Sequence, residues 1–282
     1  MTIKAVQQFQ LGTVLNNEKQ AAKTLRLMKE AGYDGIELCS FMIHPTPFMV
    51  KILTKAAGMP VGNGGKLDWP KLVKEAGLSV PSVHQYLNSI EEDPENAAKE
   101  AISFGSRYVT VTGMYRFDYG DSKNIHSLAE RLNKAGEALA AQGIGLLYHN
   151  HNIEFLRPEP DKTAYRILME ETDPKYVNFE FDSYWAVDAG VYALGLMEQL
   201  GSRLKLYHIN DRGCRQKGLA MTPLLKMDSM ELGTGCLDLE PMIRQALSVD
   251  VDAIILESHK NWIDKSPVKS FQVSGEYLRK YL

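Results

Sequence analysis

The chain has 282 residues, of which 32 are basic and 35 acidic, for a net charge of −3. A length near the roughly 250 residues of an α/β barrel permits one such barrel or two smaller domains, and the lack of a basic excess argues against a nucleic-acid-binding protein. Three cysteines without CxxC spacing, no signal-peptide pattern and no apolar run near the roughly 20 residues of a membrane span predict a cytoplasmic protein that does not cross a membrane.

Eight short apolar runs are predicted to be β-strands. Most of them are continuous rather than alternating, which is typical of parallel strands that are buried on both faces. In chain order they are residues 5–11, 35–39, 80–85, 108–112, 145–149, 177–182, 204–209 and 253–258.

Amphipathic segments between these runs are predicted to be helices. They are residues 17–31, 93–104, 123–142, 161–171, 189–200, 239–248 and 267–281, and the Pro- and Gly-containing segment 41–79 is predicted to hold a helix, a loop and a second short helix. This alternation favours parallel βαβ units, in a closed barrel or an open doubly wound sheet. Residues 12–16, after the first run, lack the GxGxxG spacing of a dinucleotide-binding sheet. We therefore predict an α/β fold, a (β/α)₈ TIM barrel, as a single domain over residues 1–282.

The predicted strands end in a polar pattern that points to a metal site. In a TIM barrel the catalytic groups lie at the C-terminal ends of the strands, and six of the eight runs finish in His, Asp or Glu. Burying so many ionisable groups together is costly unless something pairs them, and a divalent cation would do so. Carboxylates and imidazoles without a thiolate pair suit Mn²⁺, Mg²⁺, Co²⁺ or Zn²⁺.

Five segments together carry a family resemblance. They are Tyr-His-Asn-His-Asn-Ile-Glu-Phe at 148–155, Phe-Asp-Ser-Tyr-Trp at 181–185, His-Ile-Asn-Asp at 208–211, Gly-Thr-Gly at 233–235, and Glu257. With these segments on successive strands, the chain resembles the xylose-isomerase-like TIM-barrel superfamily, often labelled sugar phosphate isomerase/epimerase, which has AP endonucleases among its relatives. The resemblance implies one divalent metal ion held by a Glu, an Asp, a His and a second Glu from four strand ends.

Three of these four ligands match directly. The resemblance assigns them to Asp182, His208 and Glu257, while strand alignment places the first glutamate near His149, where the chain has no carboxylate. Glu154 is the nearest candidate, and we predict it as the fourth metal ligand. The competing interpretation is that His149 or His151 binds the metal and Glu154 faces the substrate or supports a ligand.

The resemblance also implies a metal-dependent isomerase or epimerase of a sugar or sugar phosphate. The metal would stabilise the enediolate that forms when a proton leaves the carbon beside a carbonyl. Glu154 and Glu257 facing each other across the metal would suit epimerisation, whereas His149 and His151 offer an imidazole base. These four residues are the predicted catalytic groups.

Other polar or aromatic residues lie at or just beyond the predicted strand ends. We expect Asp211 to support His208 or the substrate, because carboxylates of this kind commonly orient metal-binding imidazoles. The predicted substrate-binding residues are Glu37, His84, Trp185, Asp211 and Arg212.

Alternative functions share the same scaffold. The main one is a lyase, either inosose dehydratase-like or a 3-keto-glycoside eliminase, because elimination needs a base and an acid rather than two matched bases. A phosphodiesterase like the AP endonucleases is disfavoured by the net charge of −3, and a binding barrel without activity by Asp182, His208 and Glu257. The expected partner is a small carbohydrate, with no nucleic acid and no membrane, and the sequence leaves room for a homo-oligomer.

Overall fold

A closed barrel of eight parallel strands forms the centre of the molecule, as the sequence predicts. The computed structural model describes residues 2–45, 64–216, 218–219 and 221–282. The barrel strands are β1 (Ile3–Gln7), β2 (Gly35–Cys39), β3 (Val83–Gln85), β4 (Tyr108–Val111), β5 (Gly145–His149), β6 (Val177–Asp182), β7 (Leu204–Ile209) and β10 (Ala253–Leu256). Two short antiparallel strands, β8 (Asp211–Gly213) and β9 (Asp228–Met230), lie in the connection between β7 and β10.

Helices follow the strands around the barrel. Those of the described residues are Glu18–Glu30, Ser40–Ile43, Trp69–Ala76, Leu87–Glu92, Pro94–Ser103, Ser122–Ala140, Ala164–Glu171, Ser183–Asp188, Ala193–Leu200, Leu239–Ser248 and Pro267–Leu278. The first illustrates why they form: the Asn17 side chain accepts the Gln20 N–H at the helix start, and Ala21, Leu25 and Met28 share its buried face. None of the described helices is long and apolar enough to cross a membrane.

The predicted helix, loop and helix of segment 41–79 lie partly outside the described residues. Residues 46–63 belong to that part. Within the described part, the helices Ser40–Ile43 and Trp69–Ala76 are present on either side.

Four predicted strands are shorter in the structure; the fourth ends at Val111, one residue before its predicted end. The first ends at Gln7 rather than residue 11, because the Gln7 side chain accepts the Phe9 N–H and the chain turns into the 3₁₀ helix Gln8–Val14. The third begins at Val83 rather than residue 80, since Pro81 has no N–H for a strand ladder. The last ends at Leu256, so that Glu257 follows the strand instead of lying within it.

The interior of the barrel is apolar at the N-terminal end of the strands and polar above it. Five buried side chains form the apolar floor, namely Ala5, Leu147, Leu206, Ala253 and Ile255. Alternate residues of a strand face the same side, so the residues two positions later also point inward. These are Gln7, His149, His208 and Glu257, and all of them are buried. The strand register also places His149 beside Glu180 and Asp182 beside His208.

Candidate metal centre

Two groups of buried side chains meet inside the polar half of the barrel. The upper group is His149, Asp182, His208 and Glu257, and its ligand atoms all lie within 4.8 Å of one another. Glu257 Oε2 lies 2.9 Å from His208 Nδ1 and 3.8 Å from His149 Nε2. The Asp182 carboxylate lies 4.0 Å from the same His208 nitrogen. The barrel therefore brings together three of the four predicted metal ligands, with His149 beside them.

The lower group is Glu37, His84, Glu180 and His208, which also meets the 4.8 Å limit. His208 belongs to both groups, because its Nε2 points down to Glu37 Oε2 at 2.7 Å. His84 Nε2 lies 2.8 Å from Glu180 Oε2 and 3.1 Å from Glu37 Oε2. Imidazoles and carboxylates thus alternate around this group.

The local sequence fixes the upper group through the backbone of Asp182. Asn150, whose side chain points away from the barrel interior, donates to the Asp182 carbonyl and accepts the Asp182 N–H, each at 3.0 Å. The Asp182 carboxylate in turn accepts the backbone N–H of Trp185 at 3.0 Å and so caps the start of the helix Ser183–Asp188. Asn150 therefore joins β5 to β6 next to two candidate ligands.

The composition of the upper group fits a divalent cation. Among the described residues, no Lys or Arg side chain pairs with Glu37, Glu180, Asp182 or Glu257; their ion-pair partners are histidines. The donor atoms are carboxylate oxygens and imidazole nitrogens, the set that Mn²⁺, Co²⁺ and Zn²⁺ accept. His149 Nδ1, His84 Nε2 and both Glu180 oxygens are buried without a well-aligned hydrogen-bond partner. In the upper group, two carboxylates and two imidazoles lie with their ligand atoms within 4.8 Å of one another and without a Lys or Arg partner among the described residues, an arrangement that a bound cation would stabilise.

The pKa directions show carboxylates and imidazoles that are strongly coupled: the neighbouring histidines hold the pKa values of Glu180 and Glu257 well below their ordinary range although burial opposes this. Burial, and then the Glu257 carboxylate, raise the pKa of Asp182 well above its ordinary value. Burial alone would lower the pKa of His84, but the carboxylates of Glu37 and Glu180 outweigh it and raise the pKa to about 10. His84 therefore carries a proton between two carboxylates at neutral pH.

Glu154 lies outside both groups. Its carboxylate accepts hydrogen bonds of 2.9 Å from Tyr148 Oη and from the His151 N–H, and Tyr148 Oη contacts Tyr119 Oη at 3.1 Å. Burial is the main reason that the pKa of Glu154 rises to about 7. The chain turns into the 3₁₀ helix Ile153–Phe155 after His151, and this turn directs the carboxylate toward the tyrosines. His149, and not Glu154, therefore lies together with Asp182, His208 and Glu257.

Half-buried rings surround the upper group at the open end of the barrel. The Trp185 ring lies 5.7 Å from the His151 ring and 5.6 Å from the His259 ring, between ring centroids. Trp185 Nε1 and His259 Nδ1 have no hydrogen-bond partner among the described residues. The His151 ring also lies 5.0 Å from that of His149. The rings of His151, Trp185 and His259 thus form one contiguous cluster beside His149.

The other predicted substrate-binding residues have partners within the protein. Asp211 is buried and accepts N–H bonds from Gly233 and Gly235 at 3.0 and 2.9 Å, so it holds the Gly-Thr-Gly loop. The Arg212 guanidinium pairs with Asp188 and lies over the Tyr184 ring. Glu37 and His84 lie in the lower group, beneath the upper one.

Sequence reasoning assigned no role to Glu180, His259 or Gln7, which lie in or beside the two groups. Glu180 precedes Asp182 by two residues on one strand, and this strand parity was the signal that could have found it. Gln7 donates to Glu37 at 3.0 Å. The predicted first strand extended to residue 11, so the prediction did not place Gln7 at the end of a strand, where the structure has it.

Comparisons with known proteins agree with the barrel fold. The sequence profile of the xylose isomerase-like TIM barrel family matches residues 25–281. An inosose dehydratase from Geobacillus kaustophilus is 21% identical over 91% of this chain and 85% of its own length. A sugar phosphate isomerase/epimerase from Parabacteroides distasonis superposes with a TM-score of 0.76, at 22% identity, over 99% of this chain and 93% of that one. A structure of the IOLI protein, which contains a zinc atom, superposes with a TM-score of 0.68 at 14% identity, over 100% and 99% of the two chains.

Proposed function

The chain belongs to the xylose isomerase-like TIM barrel family, and on that premise we propose that it is a divalent-metal-dependent enzyme that removes a proton beside a carbonyl group of a small carbohydrate. We propose a lyase reaction, in which a β-substituent departs after the proton. The observation that carries this choice is the position of Glu154, whose carboxylate is held by Tyr148 and the His151 N–H. An epimerase that uses Glu154 and Glu257 as matched carboxylates needs both at the reacting carbon, and of these two only Glu257 lies in the upper group.

The upper group would hold the cation through one nitrogen each of His149 and His208 and one oxygen each of Asp182 and Glu257. When bound, a divalent ion polarises the substrate carbonyl and stabilises the negative charge that the departing proton leaves behind. The zinc atom in the IOLI structure supports a divalent ion in a barrel of this shape.

His151 is the proposed base. Its ring lies 5.0 Å from that of His149, between ring centroids, and so stands beside the upper group. Burial, and then the neighbouring His149, lower its pKa to about 3, so that the ring is neutral at pH 7. Among the described residues, no carboxylate forms an ion pair with the ring. Its position at the rim, against Trp185, leaves it facing the space where a substrate would lie.

His259 is the proposed acid. Its ring lies 5.6 Å from that of Trp185, between ring centroids, and its Nδ1 has no hydrogen-bond partner among the described residues. In the proposed reaction the C–H bond beside the carbonyl breaks and its proton passes to His151. The electron pair forms a C=C bond as the C–O bond at the β-carbon breaks, and the departing oxygen takes a proton from His259. The products are an unsaturated ketone and water or an alcohol.

The match to an inosose dehydratase over most of both chains supports this reaction class. The substrate is then a cyclic polyol ketone or a keto-sugar, with a hydroxyl or glycosidic oxygen on the carbon β to the carbonyl. Trp185 would pack against the ring of such a substrate and donate its indole N–H to a hydroxyl group.

The test is a substrate panel in D₂O with the protein loaded separately with Mn²⁺, Co²⁺, Zn²⁺ or Mg²⁺. The panel contains inososes, ketoses and 3-keto-glycosides, and NMR follows both deuterium uptake and product formation. We expect release of water or an aglycone from at least one cyclic ketone, with a His151→Asn variant inactive in the same assay. If no substrate in the panel exchanges or reacts with any metal, the proposed function is wrong.

A second candidate is a sugar isomerase or epimerase. It is favoured by the superposition on the Parabacteroides distasonis sugar phosphate isomerase/epimerase over nearly the whole chain. Its signature in the same assay is deuterium uptake and a new stereoisomer or regioisomer without loss of a substituent. That outcome would replace the lyase proposal while keeping the metal centre.

A further inference from the structure

We propose that Glu37 and Glu180 are positioning residues, each of which accepts the N–H of one metal-binding imidazole from below, and that His84 links the two carboxylates. The inference rests on the proposed function, because it takes a cation in the upper group as its premise. It assigns a role to the lower group that differs from substrate contact and from a second metal site.

The two nitrogens of His208 point to different groups. An imidazole that binds a cation through one nitrogen carries its proton on the other. Nδ1 of His208 faces the upper group, 2.9 Å from Glu257. Its Nε2 faces Glu37 Oε2 at 2.7 Å, a hydrogen-bond distance, and so places the proton there.

His149 repeats the arrangement with its nitrogens exchanged. Its Nε2 lies on the side of Glu257, at 3.8 Å, and its Nδ1 lies 3.3 Å from Glu180 Oε2. Both Nδ1 and the Glu180 oxygens are buried and lack a well-aligned partner among the described residues. A small rotation of the ring as Nε2 moves onto a cation would align the Nδ1–H of His149 with the Glu180 carboxylate.

The Glu37 carboxylate is itself held in place. Gln7 Nε2 donates to Oε2 at 3.0 Å, and Ser82 Oγ donates to Oε1 at 2.5 Å. Thr110 donates to Ser82 at 2.9 Å in turn. His84 Nε2 lies within 3.1 Å of both Glu37 and Glu180 and joins the two acceptors. A fixed acceptor fixes both the orientation and the tautomer of the imidazole above it.

The spacing of the lower group would also admit a cation, but the protons argue against one. With His208 and His149 bound to an upper ion through one nitrogen each, their remaining N–H groups point at Glu37 and Glu180. A second ion would have to displace the proton between His208 Nε2 and Glu37 Oε2. These two atoms are 2.7 Å apart, so the proton and an ion cannot both lie between them. We therefore expect one ion per chain.

The test uses the full chain and Zn²⁺ as the probe, with Glu37→Gln and Glu180→Gln variants. Exposed Glu130→Gln is the matched control. Zinc stoichiometry is measured by elemental analysis, zinc affinity by chelator competition, and the imidazole tautomers by long-range ¹H–¹⁵N NMR of the zinc-loaded protein. We expect one zinc per wild-type chain, a loss of affinity of roughly 10- to 100-fold in each Gln variant, and no loss in the control. The Glu37 variant should shift the N–H signal of His208, and the Glu180 variant that of His149.

The outcomes separate this inference from the proposed function. Two zinc ions per wild-type chain, with one lost in Glu180→Gln, would make the lower group a metal site and overturn the inference. One zinc with unchanged affinity and unchanged N–H signals in both variants would also overturn it. A wild-type chain that binds none of Zn²⁺, Mn²⁺, Co²⁺ and Mg²⁺ would instead overturn the proposed function. If a Gln variant does not fold, Ser82→Ala serves in its place: it should shift the His208 signal alone, and an unshifted signal contradicts the role of Glu37.

Discussion

Asp182 at the end of β6 lies directly beside His208 on β7 in the register of the barrel. Side chains at paired positions of neighbouring parallel strands leave the same face, so both reach the barrel interior at one level. Their closest atoms, Asp182 Oδ2 and His208 Nδ1, are 4.0 Å apart, too far for a hydrogen bond. The two side chains thus face the same space without a hydrogen bond between them, as two ligands of one ion would.

We expect Asp182→Asn and His208→Gln to lose the metal ion. Each removes a proposed ligand, and such a loss should cost more than the roughly 10- to 100-fold in affinity that supporting residues cost. Elemental analysis after metal loading and desalting measures the retained ion, with exposed Asp161→Asn as the control. Full metal content in either variant would show that the ligand assignment is wrong.

The fourth ligand is tested by comparing His149→Ala with Glu154→Gln. His149 lies in the upper group and Glu154 does not, so we expect the first variant to lose most of its metal affinity and the second to keep it. Chelator competition with Co²⁺ or Zn²⁺ measures both. The reverse result would restore Glu154 as the ligand, reaching back from beyond the strand.

Much of this site could be predicted because the order of the strands, and the alternation of side chains between the two faces of each strand, can be read from the sequence. Continuous apolar runs gave the barrel, and Asp182, His208 and Glu257 lie together because each ends or follows a strand. The direction of Glu154 could not be predicted, since it depends on the turn at Ile153–Phe155 and on a hydrogen bond to Tyr148.

The sequence also did not predict how deep in the barrel Glu37 and His84 lie. Both lie near strand ends, where a residue contacts either substrate or the interior beneath the site. Which of the two occurs is set by the stagger of neighbouring strands around the closed barrel, through pairs such as Cys39 with His84. Register across strands that are far apart in sequence is not visible in any one segment.

The Gly-Thr-Gly loop gives a prediction on stability. A Cβ atom on Gly235 would lie 2.2 Å from Asp211 Oδ1 and 2.6 Å from the Arg212 carbonyl oxygen, so an alanine forces the loop away from the carboxylate. We expect Gly235→Ala to lower the free energy of unfolding by roughly 1–3 kcal/mol. Urea denaturation measures this change, and an unchanged midpoint would mean that the loop accommodates the methyl group.

Glu154 should make stability depend on pH. Its pKa is raised from 4.5 to about 7 in the folded protein, mainly by burial. The folded state therefore binds this proton more tightly than the unfolded state, and the free energy of unfolding falls as pH rises through that interval. The full effect is roughly 3 kcal/mol.

Glu154→Gln removes this titration, so the pH 5 to pH 8 decline in stability should be smaller in the variant than in the wild type. Urea denaturation in metal-free buffer across that range measures the decline, with Glu130→Gln as the control. Parallel curves for Glu154→Gln and the wild type would mean that the carboxyl group titrates at its ordinary pKa.

His151→Asn should separate chemistry from metal binding. If His151 removes the substrate proton, the variant keeps its zinc and loses roughly 10²- to 10⁴-fold in kcat, because a general base contributes about that much. Steady-state kinetics on the substrate found in the panel, together with zinc content, measure the two effects. His126→Gln, on the outer helix Ser122–Ala140, is the matched control and should leave both unchanged. Loss of zinc from His151→Asn would make His151 a ligand instead of a base, and an unchanged kcat would assign proton removal to another group beside Trp185.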